Sequence, residues 1–243
     1  MLVFNTGGPL FRSNPSLRRA INFALDRKAL EATGGGPVGA SLTDQYLPYA
    51  MPGFKDAAIY PLDGPDLARA RALAEGNLRS GRAVLLTPNF PLPLTTAQMV
   101  KRQLEPLGLD VTLDAVPLHI QLRGYFERLL APDATWDMAL ILWTPNIPHA
   151  HSAMTMFLNG RLPGSQTLTR LESESYAQAL SKAAGAPSAL ARARALGELD
   201  VSVARDVAPA AAINVMNEVT FVSERVGCVV RRPVLDLAVV CLR

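Results

Sequence analysis

Apolar residues first recur at helical spacing near the beginning of the chain. Leu17, Ala20, Ile21, Ala24 and Leu25 form one stripe, with Asn14 placed to cap the helix and Pro15 at its first position. Asp26 caps a second, short helix over Arg27 to Ala32 that stops at Gly34-Gly35-Gly36. Residues 34–64 are rich in Gly, Pro and Tyr and hold no sustained period, which predicts a long ordered loop, of the kind that serves function or covers a surface.

The centre of the chain alternates between the two periods. Pro65 and Asp66 open a helix with Leu67, Ala70 and Ala74 on one face and Gly76 placed to close it. Ala83 to Thr87 reads as a short buried strand, followed by helical spacing at Ala97, Val100, Leu104 and Leu107 up to Gly108. Leu109, Val111, Leu113 and Ala115 alternate with Asp110, Thr112 and Asp114, a period-two strand with one polar face. Leu118, Leu122, Phe126 and Leu129 mark a further apolar helix face, and Asp137 to Leu142 is another apolar strand. Strand, helix, strand, helix, strand implies two right-handed crossovers and a parallel sheet. Two long helices follow, marked by Tyr176, Ala179, Leu180 and Ala183 and by Leu196, Leu199 and Val203, with Pro187 near the start of the second. Strands are predicted at 211–216, 219–223, 227–230 and 235–242, giving an α/β lobe with an appended C-terminal β tail.

Composition narrows the classes without choosing among them. With 243 residues, 49% apolar and 19% charged, the chain can bury a core and shows no disorder signature. The net charge is +3 and no basic run exceeds two residues, so the clustering that nucleic acid requires is missing. No segment approaches the roughly 20 apolar residues of a membrane span, and Met1 to Asn5 does not read as a signal peptide. Cys228 and Cys241 lack metal-ligand spacing and are read as buried free thiols in preference to a bridge. There is no G-x-S-x-G elbow, H-E-x-x-H or P-loop, and Gly34-Gly35-Gly36-Pro37 follows a helix where a phosphate cradle would follow a strand. No catalysis, cofactor or resident metal is expected.

Several segments, in order, resemble the family 5 extracellular solute-binding proteins. Phe4-Asn5-Thr6 with Pro9-Leu10-Phe11 resembles the family's crossing strand, and the run from Arg19 to Arg27 is close to its best-marked helix. Leu47 to Phe54, Asp66 to Ala74, Gln103 to Leu109, and Asp137-Met138 through Trp143 are similar to further stretches of the same family. The resemblance implies a periplasmic-binding-protein-like second lobe of type II over residues 1–222, crossing strands included, built on a βαβαβ core, and a tail, 223–243, that rejoins a first lobe. In the family two such lobes engulf the ligand, so the chain is expected to be a piece of a longer protein. It is expected to hold half a binding wall and, alone, no useful affinity; the tail would lack its sheet partners.

The implied role is that of the substrate-binding component of an ABC importer, extracytoplasmic and monomeric. It would capture a small solute, oligopeptide-like or else a metal chelate, by hinge closure and present it to a membrane permease. The alternative is the ligand-sensing domain of a transcription regulator behind an N-terminal helix-turn-helix. Ligands in open α/β sheets sit at the carboxyl ends of strands, which selects the segment after the 137–142 strand: Trp143, Thr144, Asn146 and His149. Peptide-binding members carry an aspartate after this tryptophan, where Asn146 stands here and supplies no charge for a peptide ammonium. Pro148 to Met154 loosely resembles the nickel-chelate binders, but Ile147 replaces their acidic residue and His119 lies far off in sequence, so these histidines are read as surface or loop residues.

Overall fold

In the computed structural model, which describes residues 1–117, 121–144, 147, 149–156, 168–217, 221–230 and 236–243, the elements follow the predicted order closely. Strand β1 (Leu2–Phe4) precedes α1 (Pro15–Ala24), α2 (Arg27–Ala32), α3 (Gly36–Gly39) and β2 (Ala40–Leu42). A long loop leads to α4 (Leu67–Ala74), β3 (Arg82–Asn89), α5 (Pro91–Leu104), β4 (Asp110–Pro117), α6 (Gln121–Leu130) and β5 (Met138–Leu140). Then come α7 (Ala150–Thr155), α8 (Glu174–Ala184), α9 (Ala189–Ser202), β6 (Ala210–Ala211), β7 (Asn214–Met216), β8 (Val226–Gly227) and β9 (Cys241–Leu242). The capping logic holds: Asn14, Asp26 and Asp66 accept from the backbone N–H groups of Leu17, Ala29 and Arg69. Among the described residues no helix is long and apolar enough to cross a membrane.

Five strands form one sheet in the order β4-β3-β5-β1-β6. β3 runs parallel to both β4 and β5, as expected from the βαβαβ order. The two crossovers travel in opposite directions across the sheet, α5 packing on one face and α6 on the other, which gives them the same hand. The sheet is not wholly parallel: β1 lies between β5 and β6 and is antiparallel to both. The N-terminal segment reads as a strand, but periodicity cannot reveal its placing, because its partners lie far along the chain.

Alternation within these strands divides the core into two layers. Leu2, Phe4, Leu85, Met138 and Leu140 face α1, α4 and α5, while Val3, Leu86 and Ala139 face α6, α7, α8 and α9. Both sheet faces are therefore covered, which explains why these strands read as almost continuous apolar runs.

The long loop is held by side chains where a ladder would otherwise serve. Asp44 accepts from the N–H groups of Ile59 and Tyr60 at 2.6 and 2.8 Å. Asp200, buried in α9, accepts from Tyr46 N–H and from Gln45 Nε2 at 3.1 and 3.2 Å. Gly53 (φ +102°) and Gly197 bring loop and helix backbones together; a Cβ on Gly197 would stand 1.7 Å from the Gly53 oxygen. So anchored, the loop carries Tyr46 and Leu47 into the core and serves as its cover.

The C-terminal expectations need correction. The strands there are shorter than the apolar runs suggested; β7 pairs with β2, and residues 218–220 and 231–235 lie outside the described residues. β8 and β9 pair with each other. Cys228 and Cys241 are not free thiols: they form a disulfide across this hairpin. Nor are they deeply buried, since Cys228 is exposed and Cys241 half-buried. Their alternation with apolar neighbours suggested a core strand, whereas the tail's apolar residues Phe221, Leu237 and Leu242 stand largely in the open.

Candidate ligand-binding face

The residues that make the sequence distinctive are mostly staples of the fold. Asn5 donates from Nδ2 to the Trp136 carbonyl at 2.9 Å and accepts from the Gly8 N–H, closing the turn after β1. Arg27 is wholly buried. Its guanidinium donates to the carbonyls of Ala212, Asn22 and Pro61 and to Asn22 Oδ1, and lies over the Tyr60 ring. Burial lowers its pKa to about 10, which leaves it charged. Asp137 accepts from the Val84 N–H at 2.9 Å, extending the contact between β3 and the start of β5, and burial raises its pKa. All three side chains are taken up in holding the fold.

The carboxyl ends of the parallel strands lie at the other pole. The register Leu85↔Met138 sets the ends of β3 and β5 side by side, and the antiparallel pairing Leu2↔Leu140 brings the beginning of β1 to the same place. A cavity of about 420 Å³ opens there. Phe90 and Leu92 at the start of α5, Tyr125 and Phe126 of α6, Leu142 after β5 and Met216 of β7 make much of its wall. Tyr125 donates its hydroxyl to the Leu140 carbonyl at 2.5 Å, which ties α6 to the strand end. Phe126 thus lies at the rim, 38% exposed, and not in the core stripe that its helical spacing suggested. Residues drawn from separate elements in this way cannot be found from spacing; the one available signal was a set of large apolar residues at strand ends and helix starts.

Of the predicted contact residues, Trp143, Thr144 and His149 flank this cavity in sequence but are not part of its described wall. Trp143 is half-buried and packs against the core layer formed with α6 to α9, while Thr144 is exposed. His149 is exposed and caps α7, its Nδ1 accepting from the His151 N–H at 3.1 Å. His151 is held below its usual pKa by burial and by the adjacent His149. Asn146 and Pro148, like His119, lie outside the described residues. Among the described residues no three His, Cys, Asp or Glu side chains come together as a metal site.

A larger cavity, about 1050 Å³, lies at the opposite pole between the segments 5–13, 130–134 and 170–173. Its three arginines are already engaged. Arg12 donates to Gly7, Arg18 to Val207 and Arg170 to the Ala131 and Pro132 carbonyls. It lies at the amino ends of β3 and β5, away from the edge where α/β sheets hold ligands.

Comparison with known proteins agrees with this architecture. Residues 1–163 match the family model of the middle region of bacterial extracellular solute-binding proteins, family 5. No curated protein matches the sequence. Among solved structures, HbpA2 from Haemophilus parasuis superposes with a TM-score of 0.80 at 17% identity, covering 100% of this chain and 47% of HbpA2. A dipeptide binding protein from Pseudoalteromonas sp. SM9913, in complex with Met-Leu, gives 0.75 at 16% identity, with coverage of 100% and 48%. The binding protein AgaA from A. tumefaciens R10, in complex with agropinic acid, gives 0.75 at 19% identity, with coverage of 96% and 46%. The chain thus spans about half the length of these structures. With the family match running through β1, both parallel crossovers and the segment beyond β5, the chain belongs to the bacterial extracellular solute-binding proteins of family 5.

Proposed function

We propose that this chain is one lobe of the substrate-binding component of an ABC importer and holds a peptide or similar small solute against a second lobe. The observation that carries this is the convergence of the ends of β3 and β5, the start of β1 and strand β7 at one pole, around an open cavity. Closure follows from differential contact: a ligand touching both lobes favours the closed form, which a membrane permease then reads. Trp143, Thr144, Asn146 and His149 are assigned to the rim of the same wall, residues 1–222 to the lobe and 223–243 to a tail that joins the other lobe. The protein is taken to act as a monomer.

An extracytoplasmic location is supported by the exposed Cys228–Cys241 disulfide, since such bonds persist in oxidising compartments. The same bond weighs against the cytoplasmic sensor of a transcription regulator. Methyl NMR of the chain titrated with Met-Leu tests the site. Binding weaker than millimolar is expected, with shifts at the methyls of Leu92, Leu142 and Met216. Shifts confined to the opposite pole, or micromolar affinity for the single lobe, would overturn the reading.

A further inference from the structure

We infer that the part of the ligand taken up by this lobe is an uncharged, apolar side chain, seated in the cavity at the strand ends. This rests on the proposed function and narrows it to a substrate class. Among the described residues that line the cavity there is no carboxylate, guanidinium or lysine side chain. Its aliphatic and aromatic wall is interrupted by Thr33, Thr96 and Asn214. The two threonines are already engaged: Thr33 donates to the Leu30 carbonyl at 2.7 Å and meets the Thr96 hydroxyl at 3.2 Å. The Tyr125 hydroxyl is likewise given to the Leu140 carbonyl. The backbone nitrogen of Met1 donates to the Ile141 carbonyl, so it too is engaged.

A charged side chain entering this space would shed water and find no counter-charge among the described lining residues. An apolar one would instead cover surface that is now exposed. Leu142 is 71% and Met216 51% exposed, and with Phe126 they surround one opening, unlike the scattered single apolar residues common on protein surfaces. At about 420 Å³ the cavity lies in the range of small-ligand sites and is ample for one large side chain.

The test uses the full chain with methyl-labelled Leu and Met, and four blocked amino acids as probes: the N-acetyl amides of leucine, phenylalanine, lysine and glutamate. Only the side chain differs among them. The leucine and phenylalanine probes are expected to shift the Leu92, Leu142 and Met216 methyls at concentrations roughly tenfold or more below those needed for the charged probes. Leu142→Asp and Met216→Asp, at exposed positions, are expected to abolish that preference while the thermal melt stays in place. Lysine or glutamate probes acting at these methyls equally well or better would overturn the substrate class. So would four silent probes, the result expected if a second lobe alone covers this apolar pole. The two readings fail separately: if Met-Leu moves the methyls but the probes show no apolar preference, the site stands and the substrate class falls.

Discussion

Replacing Asp200 by alanine tests how the long loop is held. The side chain is completely buried in α9, and its carboxylate accepts from the Tyr46 N–H at 3.1 Å, the Leu47 N–H at 3.4 Å and Gln45 Nε2 at 3.2 Å. Burial outweighs these bonds and raises its pKa from 3.8 to about 6. The folded state therefore holds this proton more tightly than the unfolded chain. The group supports the fold fully below the unfolded value, and the contribution is lost as pH rises through about 6. A rise of that size corresponds to about 3 kcal/mol between the extremes.

Asp200→Ala relieves the buried charge at neutral pH but strands three donors, each worth ~1–3 kcal/mol if left unpaired. Water entering the vacated space recovers part of that. A net loss of about 3 kcal/mol is expected near pH 7.5. Near pH 5 the native carboxyl is largely protonated and the wild type gains about 1 kcal/mol, whereas alanine does not titrate, so the gap widens by that amount. Urea unfolding of both proteins at the two pH values, followed by circular dichroism, measures it; titrations common to both cancel in the difference. A gap that stays constant or narrows on acidification would refute the raised pKa, and a variant as stable as the wild type at both pH values would refute the loop anchoring.

Gly197→Ala should destabilise the protein by about 3 kcal/mol or more, or prevent folding, because the new methyl meets the Gly53 carbonyl at 1.7 Å; thermal melts or soluble yield would show it, and a melt within a few degrees of wild type would contradict the close approach. Arg27→Met should cost ~3–5 kcal/mol by orphaning the carbonyls that the guanidinium now bridges, read by chemical unfolding. Reducing the Cys228–Cys241 bond should leave the main unfolding transition within about 0.5 kcal/mol, since β8 and β9 pair only with each other among the described residues. It should nevertheless expose residues 221–243 to proteolysis much faster, and a shifted main transition would place the tail in the core.

How far the sequence could be read depended on the distance between interacting groups. Helix starts were visible because an N-cap and its target lie three residues apart, as at Asn14, Asp26 and Asp66. The β3–α5–β4–α6–β5 succession was visible because two periods alternate cleanly. The antiparallel placing of β1, the Asp200 anchor and the Gly53–Gly197 approach were not, since each joins groups far apart in sequence. For the site, the pole was legible from the strand order, but the emphasis on Trp143 and His149 was local. One packs against the core and the other caps a helix, whereas the cavity wall draws on Phe90, Phe126 and Met216. The disulfide was missed because two cysteines in apolar runs give no sign that those runs lie outside the core.

The placing of β1 also bears on how the protein is made. Its apolar run Leu2-Val3-Phe4 is translated well before its neighbours in the sheet, Met138–Leu140 and Ala210–Ala211. At roughly 5–20 residues per second, some 10–40 s pass before the second neighbour emerges. Throughout that interval the nascent segment is sticky and unhoused, a natural substrate for a chaperone, and the sheet cannot close until Ala210–Ala211 have been made.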